Sequence, residues 1–298
     1  MQVLVTGGTG FIGRELCREL DDRGHDVTAL SREPEPEVLP DGVATAVGDV
    51  TAYDSIAVDF EGMDAVVNLV ALSPLFEPKG GGQRHFDVHL EGTKNVVEAA
   101  EANDLDRVVQ MSALGADPDG PTPYIQSKGR AEEVVRDSAV DHTILRPSVV
   151  FGDGGEFVPF VETLTTPYVT ALPGGGKTRF QPIWVGDVAD LLADALDEEH
   201  ANETYEVGGP EVLTLAEVTK LVYRAKGKRV TVLSIPMPLA RLGLTVADAL
   251  PFVPMGLDQY ESLEFDNTVS DNDVTAFGRD PADLRTLADY LGAAEPTP

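Results

Sequence analysis

The first fourteen residues constrain this chain more than any other stretch. Val3-Leu4-Val5 is a short apolar run. Thr6-Gly7-Gly8-Thr9-Gly10-Phe11-Ile12-Gly13-Arg14 follows directly, and an amphipathic stretch runs from Glu15 to Arg23. The order reads strand, glycine turn, helix. Gly7, Gly10 and Gly13 have the spacing G-x-x-G-x-x-G. The first glycine permits a tight turn, the second removes the Cβ that would block a pyrophosphate, and the third lets the helix lie close to the strand. The start of that helix offers unpaired N–H groups and the positive end of its dipole to phosphate. A glycine triplet also occurs in ordinary turns. Between an N-terminal strand and a helix it points to dinucleotide binding, with Gly7, Thr9, Gly10, Phe11, Ile12 and Gly13 as the cradle.

The next corner bears on which dinucleotide. Asp26 to Leu30 reads as the second strand and ends at Ser31-Arg32. An NAD site expects an acid about twenty residues past the glycines, to hold the ribose 2′-hydroxyl. Ser31 and Arg32 stand there instead. Arg32, joined by Arg14, can pair with a 2′-phosphate, which favours NADP(H). Glu33 keeps NAD(H) as the second reading. Asp49 and Val50 follow the third strand, Val43 to Val47; Asp49 either accepts from the adenine amino group or caps a turn. Val70 and Ala71 continue the fourth strand, Asp64 to Leu69, on the edge where ligands bind in open α/β sheets. A glycine-rich loop, Pro78 to Gln83, a helix from His85 to Ala102 and a fifth strand, Arg107 to Met111, come next.

This alternation predicts an α/β fold, a Rossmann-type doubly wound parallel sheet. The expected division is a Rossmann domain over residues 1–150, receiving later segments near 179–197, and a smaller substrate lobe over 151–298. In that lobe Thr214 and Glu217 read as a capping box for a helix from Leu215 to Ala225. Phe157, Phe160 and Tyr168 are expected to wall the substrate pocket. Thr204 to Val207 reads as a strand of the lobe, and Asp280-Pro281 to Leu291 as a terminal helix. Ile235 to Met255 is apolar and weakly charged, and reads as a core-packing helix between prolines, with a mobile lid, a partner-binding helix or a surface at a lipid boundary as the other readings.

Chemistry enters at Ser112, directly after the fifth strand. Twelve residues on is Tyr124-Ile125-Gln126-Ser127-Lys128, led in by Pro121-Thr122-Pro123, a suitable helix start. If Tyr124 opens the helix, Lys128 lies one turn on, on the same face. An ammonium beside a phenol would lower its pKa. Tyr124 could then exchange a proton with a substrate oxygen that Ser112 holds, while a nicotinamide exchanges hydride.

These motifs carry a family resemblance. TGGTGFIG, SALGAD, YIQSK and LRPSVVFG resemble short-chain dehydrogenase/reductases of the extended or atypical kind. His89-Leu90-Glu91-Gly92-Thr93-Lys94-Asn95 is similar to the family's N-x-x-G-T-x-N helix, with His89 where asparagine is usual. Pro182 to Ala189 is similar to its P-I-H-V-x-D-V-A segment. Tyr205 to Leu213 and Asp266-Asn267 narrow the resemblance to the branch of the nucleotide-binding accessory subunit of respiratory complex I, within the NAD-dependent epimerase/dehydratase-like proteins. The resemblance implies that Ser112, Tyr124 and Lys128 are catalytic, that Lys128 also contacts the cofactor, and that Pro147 and Val149 lie along the nicotinamide. It implies an oxidoreductase or epimerase acting on a carbonyl, quinone or nucleotide sugar. Because the complex I relatives bind NADPH without an established turnover role, it equally implies a non-catalytic accessory protein associated peripherally with a respiratory complex.

Composition limits the partners. Fifty-one acidic residues stand against 22 basic ones, of which only seven are lysines, for a formal charge of −29. The acids are spread along the chain, which reads as a surface adapted to high salt. Nucleic acid is not an expected partner, since phosphate binding needs a basic face, and an anionic membrane is disfavoured on the same ground. No run of about twenty apolar residues suggests a membrane span. The N-terminus enters a strand at once, so no secretory signal is read and a cytoplasmic location is expected. Cys17 is the one cysteine, placed as a small buried hydrophobe, and no metal site is expected.

Overall fold

The computed structural model describes residues 1–76, 78, 80–236 and 266–293. The stretch Ile235 to Met255 therefore lies almost wholly outside the described residues. In chain order the first half contains β1 (Gln2–Thr6), α1 (Gly13–Asp22), β2 (Asp26–Ser31), β3 (Ala44–Val47), β4 (Ala65–Asn68), α2 (Gln83–His85), α3 (Gly92–Ala102), β5 (Arg107–Met111), α4 (Pro123–Arg136) and β6 (Asp141–Pro147). The second half contains β7 (Val150–Phe151), α5 (Phe157–Leu164), β8 (Tyr168–Pro173), β9 (Arg179–Phe180), β10 (Ile183–Trp184), α6 (Val185–Asp194), β11 (Glu203–Val207), β12 (Leu213–Thr214), α7 (Leu215–Ala225), β13 (Val230–Ile235) and α8 (Leu287–Leu291).

Seven strands form one sheet in the order β11-β6-β5-β4-β1-β2-β3, every neighbouring pair parallel. The order steps outward both ways from β1 and β4, so the expected doubly wound Rossmann-type sheet is what forms. Its central strands are buried on both faces, as parallel strands covered by helices must be. Alternate residues of β1 serve opposite cores. Val3 and Val5 pack with Leu16, Cys17 and Leu20 of α1 and Leu191 and Leu192 of α6. Leu4 faces the other way, towards Val96 and Val97 of α3 and Val135 of α4.

The glycine turn holds α1 against this sheet. Gly7 has φ +75°, open to a residue without Cβ. A Cβ on Gly13 would lie 2.2 Å from the Gly7 carbonyl oxygen, and one on Gly8 would lie 2.5 Å from the Ala29 Cβ. Gly8, outside the triplet, is thus as tightly required as Gly13.

The second half divides differently from the sequence reading. β11 is not part of a separate lobe. It pairs with β6 from Glu203↔Thr143 to Val207↔Pro147 and forms an edge of the main sheet. Val274 and Leu284 also return to the main core. Two arginines secure this return: Arg279 bonds Asp190 and Asp194 of α6, which also bond Arg23 at the end of α1. The small lobe has its own core, with Phe151, Phe157, Val161, Leu172, Phe180, Leu215, Val218, Val222 and Leu287. The Thr214–Glu217 capping box forms as read, each side chain meeting the other's backbone N–H. The terminal helix is shorter than read: residues 281–283 form a 3-10 turn, and α8 begins only after Thr286, which caps it.

Gly13→Ala must push α1 off the turn, whereas Gly24→Ala meets nothing within 4 Å and strains only a φ of +81°. Gly13→Ala is expected to cost about 3 kcal/mol and Gly24→Ala about 1 kcal/mol in urea unfolding. Equal losses would show that the close approach does not govern stability.

Candidate active site

A cleft of about 760 Å³ runs along the carboxyl ends of the strands. Its floor is the glycine turn, with Gly7, Thr9, Gly10, Phe11, Ile12 and Gly13. Ser31, Arg32 and Asp49 line one end, with Val50 beside them; Val70, Ala71, Ser112, Tyr124, Pro147 and Val149 line the other. The structure thus brings most of the residues singled out in the sequence to one cavity, although they come from six strand ends and a helix start.

Two of them are placed otherwise. Arg14 does not line the cleft beside Arg32. Its guanidinium donates to the Asp153 carbonyl, and Gly154 sits against it. The ring of Phe11 packs on Gly152 and Gly155 in the same way, so the two side chains tie the glycine turn to the loop that opens the small lobe. Lys128 also stays out of the cleft lining. It is buried one turn beyond Tyr124, and its Nζ donates to the Met111 carbonyl at 3.1 Å.

At the Ser31 corner, the hydroxyls of Thr9 and Ser31 lie 2.9 Å apart, where an NAD site would place a carboxylate. The Asp49 Oδ1 accepts from both the N–H and the hydroxyl of Thr51, which is the turn-capping role weighed above. Those bonds, with Arg32 and Arg84 nearby, outweigh burial and hold its carboxyl below the ordinary range. Arg84 lines the same cleft. Arg84 directly follows the loop from Pro78 to Gln83, and its charge, rare in so acidic a chain, is the one sequence signal that could have flagged it.

At the other end, Ser112 has a partner that the sequence did not reveal. Its hydroxyl donates to Glu132, which is almost fully buried on α4. Glu132 also accepts from Arg146 at 2.6 and 2.8 Å and from Arg136 at 2.7 Å. The expectation that Ser112 holds a substrate carbonyl oxygen is corrected accordingly, because its one proton is committed to a carboxylate. It can still accept a bond from a hydroxyl. The spacing Lys128-x-x-x-Glu132 places the carboxylate one turn past the lysine and was the available signal.

The tyrosine also differs from the sequence reading. Burial pushes the Tyr124 phenol up, the opposite of the net lowering expected. Burial brings Lys128 itself down to about 8, with Glu132 acting in the opposite direction. Each group pays the desolvation cost of its charged form, so at neutral pH Tyr124 is a neutral phenol able to donate. Around it stand the rings of His85 and His89, both edge-on with centroids 5.5 and 5.4 Å away. They come from a helix that widens into a π segment over Phe86–Glu91, where the sequence had read uninterrupted α-helix. His89 Nε2 accepts from the Leu72 N–H at 2.9 Å, which leaves the proton on Nδ1. Nδ1 donates to Ser127 Oγ at 2.9 Å, and Ser127 donates on to the Tyr124 carbonyl. His89 therefore couples the cleft loop at Leu72 to the first turn of α4. Burial, Lys128 and His85 hold it well below its ordinary pKa, in this neutral form.

The wall at Pro147 to Val150 is pinned from a distance. Asn267 accepts through its side chain from Ser148 Oγ and from the Val149 N–H. Phe157 lines the cleft, as expected. Phe160 instead packs edge-on against Phe76, and Tyr168 is 66% exposed, so neither walls the cleft. Cys17 is buried beneath the turn, its thiol pushed up to about 12 by burial. Among the described residues no group of three or more His, Cys, Asp and Glu side chains is arranged to hold a metal ion.

A family model described as NAD(P)H-binding matches residues 7–199. The chain belongs to this family. Its glycine turn and seven-stranded parallel sheet are those of a Rossmann-type short-chain dehydrogenase/reductase. The alpha subcomplex subunit 9 of mitochondrial NADH dehydrogenase from Arabidopsis thaliana is 29% identical over 90% of this chain and 71% of that protein. A 2-alkyl-3-oxoalkanoate reductase from Stenotrophomonas maltophilia is 29% identical over 76% of each chain. Among solved structures, a Thermus thermophilus UDP-glucose 4-epimerase in complex with NAD aligns over 99% of this chain and 100% of its own, with TM-score 0.68 and 24% identity. It shares the fold.

A nicotinamide dinucleotide, the ligand of this family, fits the cleft. At Gly10 an added Cβ would meet only the Gly7 carbonyl oxygen, at 3.1 Å, so the turn leaves backbone open for phosphate. The cleft volume lies within the range of small-molecule and cofactor sites.

The buried lysine makes a prediction that needs no substrate. Its folded pKa of about 8 lies below the unfolded value, so the folded state loses the proton first. Stability attributable to Lys128 is lowest below pH 8, rises between about 8 and 10.5, and is level above. Lys128→Met is expected to be more stable than wild type at pH 7 by about 3 kcal/mol, with the gain vanishing by pH 10.5. Urea unfolding at pH 7 and pH 10.5 tests this; a gain independent of pH would contradict the buried cation.

Proposed function

We propose that the chain is an NADP(H)-dependent oxidoreductase acting on a carbonyl or hydroxyl group. One observation carries the reading: Tyr124 and Ser112 reach the same end of the cleft, with Lys128 buried one turn behind. The glycine turn would hold the pyrophosphate, Pro147 and Val149 would bound the nicotinamide, and Arg32 with Ser31 would receive the 2′-phosphate. A bound nicotinamide supplies or takes the hydride.

The residues of the chain handle the proton. In the reducing direction Tyr124 donates from its neutral phenol to the substrate oxygen, and the Lys128 ammonium stabilises the phenolate that results. Ser112, its own proton held by Glu132, accepts from the substrate hydroxyl as it forms. His89 fixes Leu72 and α4 so that the wall and the tyrosine keep their spacing. The 2-alkyl-3-oxoalkanoate reductase among the relatives supports a ketone substrate.

A second reading has its own support. The relatives include the Arabidopsis NADH dehydrogenase subunit and a 40 kDa subunit of NADH-ubiquinone oxidoreductase from Neurospora crassa, 28% identical over 94% of this chain. On that reading the cleft binds NADPH as a structural ligand of a respiratory complex.

Tyr124→Phe separates the two. It is expected to lower kcat at least about a thousand-fold on a ketone or quinone that oxidises NADPH, with NADPH affinity unchanged. Retained turnover would remove Tyr124 from the chemistry, and the absence of turnover by the wild type on the whole panel would favour the accessory role.

A further inference from the structure

Charge is distributed unevenly along the cleft. Among the described residues five charged side chains line it: Arg32, Glu33, Asp49, Arg84 and Glu156. Arg32 and Glu33 follow β2, and Asp49 follows β3. Arg84 lies close enough to Asp49 to act on its charge, as Arg32 does, so both cations neighbour that one carboxylate. Glu156 directly precedes α5 and is the charged side chain on the small-lobe side, and it is an anion. The Lys128 ammonium donates to the Met111 carbonyl behind Tyr124 and stays out of the lining. Arg14 is turned away to the Asp153 carbonyl.

The walls on the small-lobe side are apolar. Leu72, Pro74 and Leu75 of the loop after β4 line it, with Met111, Val149 and Phe157. The next residue of that loop, Phe76, packs edge-on against Phe160 of α5 with ring centroids 5.8 Å apart, so the loop bridges the sheet edge and the small lobe. The hydroxyls on this side are engaged within the protein, with one exception. Ser112 donates to Glu132, Ser148 donates to the Asn267 side chain at 2.7 Å, and Ser73 accepts from the Leu75 N–H at 3.1 Å. The Tyr124 phenol makes no hydrogen bond among the described residues.

We propose that this side of the cleft takes an uncharged carbonyl compound with an apolar body, an aliphatic ketone being the simplest case. The inference rests on the oxidoreductase reading and narrows its substrate. One unengaged donor, the Tyr124 phenol, matches one carbonyl oxygen, and the aliphatic and aromatic walls match the rest of such a molecule. A nucleotide sugar would need cations or N–H donors for its diphosphate and partners for several hydroxyls. Each polar group buried without a partner costs free energy, and an unpaired charge costs far more. Glu156 adds like-charge repulsion against any phosphate or carboxylate that enters.

A matched pair of ligands tests the proposal: 2-octanone and 7-oxooctanoate, which differ only in a terminal methyl against a carboxylate. Their binding to the full chain saturated with NADP+ is measured by saturation-transfer NMR, a readout that needs no turnover. The ketone is expected to bind at least about fifty-fold more tightly than the oxo acid. The preference should persist in about 1 M salt, where the net charge of the molecule is screened and desolvation is not. From 2-butanone to 2-octanone, affinity is expected to rise by up to about four-fold per methylene. Leu75→Lys, which brings a cation to the apolar wall, is expected to narrow the preference at least about ten-fold, and unchanged NADPH affinity shows that this variant is folded. Equal or tighter binding of 7-oxooctanoate, displacement of 2-octanone by UDP, or binding of no ketone would overturn the proposal. Binding of 2-octanone without oxidation of NADPH would contradict the oxidoreductase reading and still support an apolar ligand on this side.

Discussion

The near-contact between α1 and the turn that precedes it sets the geometry of everything described above. Gly13 meets the Gly7 carbonyl and Gly8 meets Ala29 at distances no side chain could occupy. Because α1 sits this low, its first turn points its N–H groups along the edge where the other strands end. Leu16, Cys17 and Leu20 then reach the sheet, and α6 packs beside them. The cleft is the space that remains above the turn. Its phosphate end is formed by backbone, which is why it requires glycine rather than charge.

At the opposite end the controlling interaction is a buried carboxylate. Glu132 gathers Ser112, Arg136 and Arg146 and lies one turn from Lys128. Removing one partner of such a group costs far more than the group contributes in isolation, so its members act as a unit. It fixes the end of β5, β6 and the first turns of α4 relative to one another. His89 completes the frame from the other side by joining Leu72 to Ser127. Tyr124 is held between these two networks. Its phenol remains protonated because it is desolvated, and a neighbouring ammonium does not reverse that.

Much of this was legible in the sequence, for definite reasons. The fold followed from apolar runs alternating with amphipathic ones, and the floor of the cleft followed from glycine spacing, because backbone geometry restricts residue type there. The Thr214 capping box was readable because both partners are local. Long-range choices were not readable. Nothing in the sequence around Ser112 indicates that its hydroxyl donates to Glu132, twenty residues later. Arg14 turns to Asp153, a residue 139 positions away, so its proximity to the third glycine misled. β11 joins the main sheet although it is separated from β6 by the whole start of the small lobe, and Asn267 pins a turn more than a hundred residues distant. Tyr168 is aromatic and near the pocket in sequence, but it lies exposed at the start of β8.

On the proposed function, the cleft holds a nicotinamide dinucleotide and Arg32 pairs with its 2′-phosphate. Calorimetric titration of NADPH and NADH into the wild type and Arg32→Ala tests it most directly. One NADPH per chain is expected, bound more tightly than NADH. Loss of the charge-assisted bond, worth roughly 1.5–3 kcal/mol, should weaken NADPH about 10- to 150-fold in the variant and leave NADH little changed. Binding of neither nucleotide, or an equal small loss for both, would contradict the account.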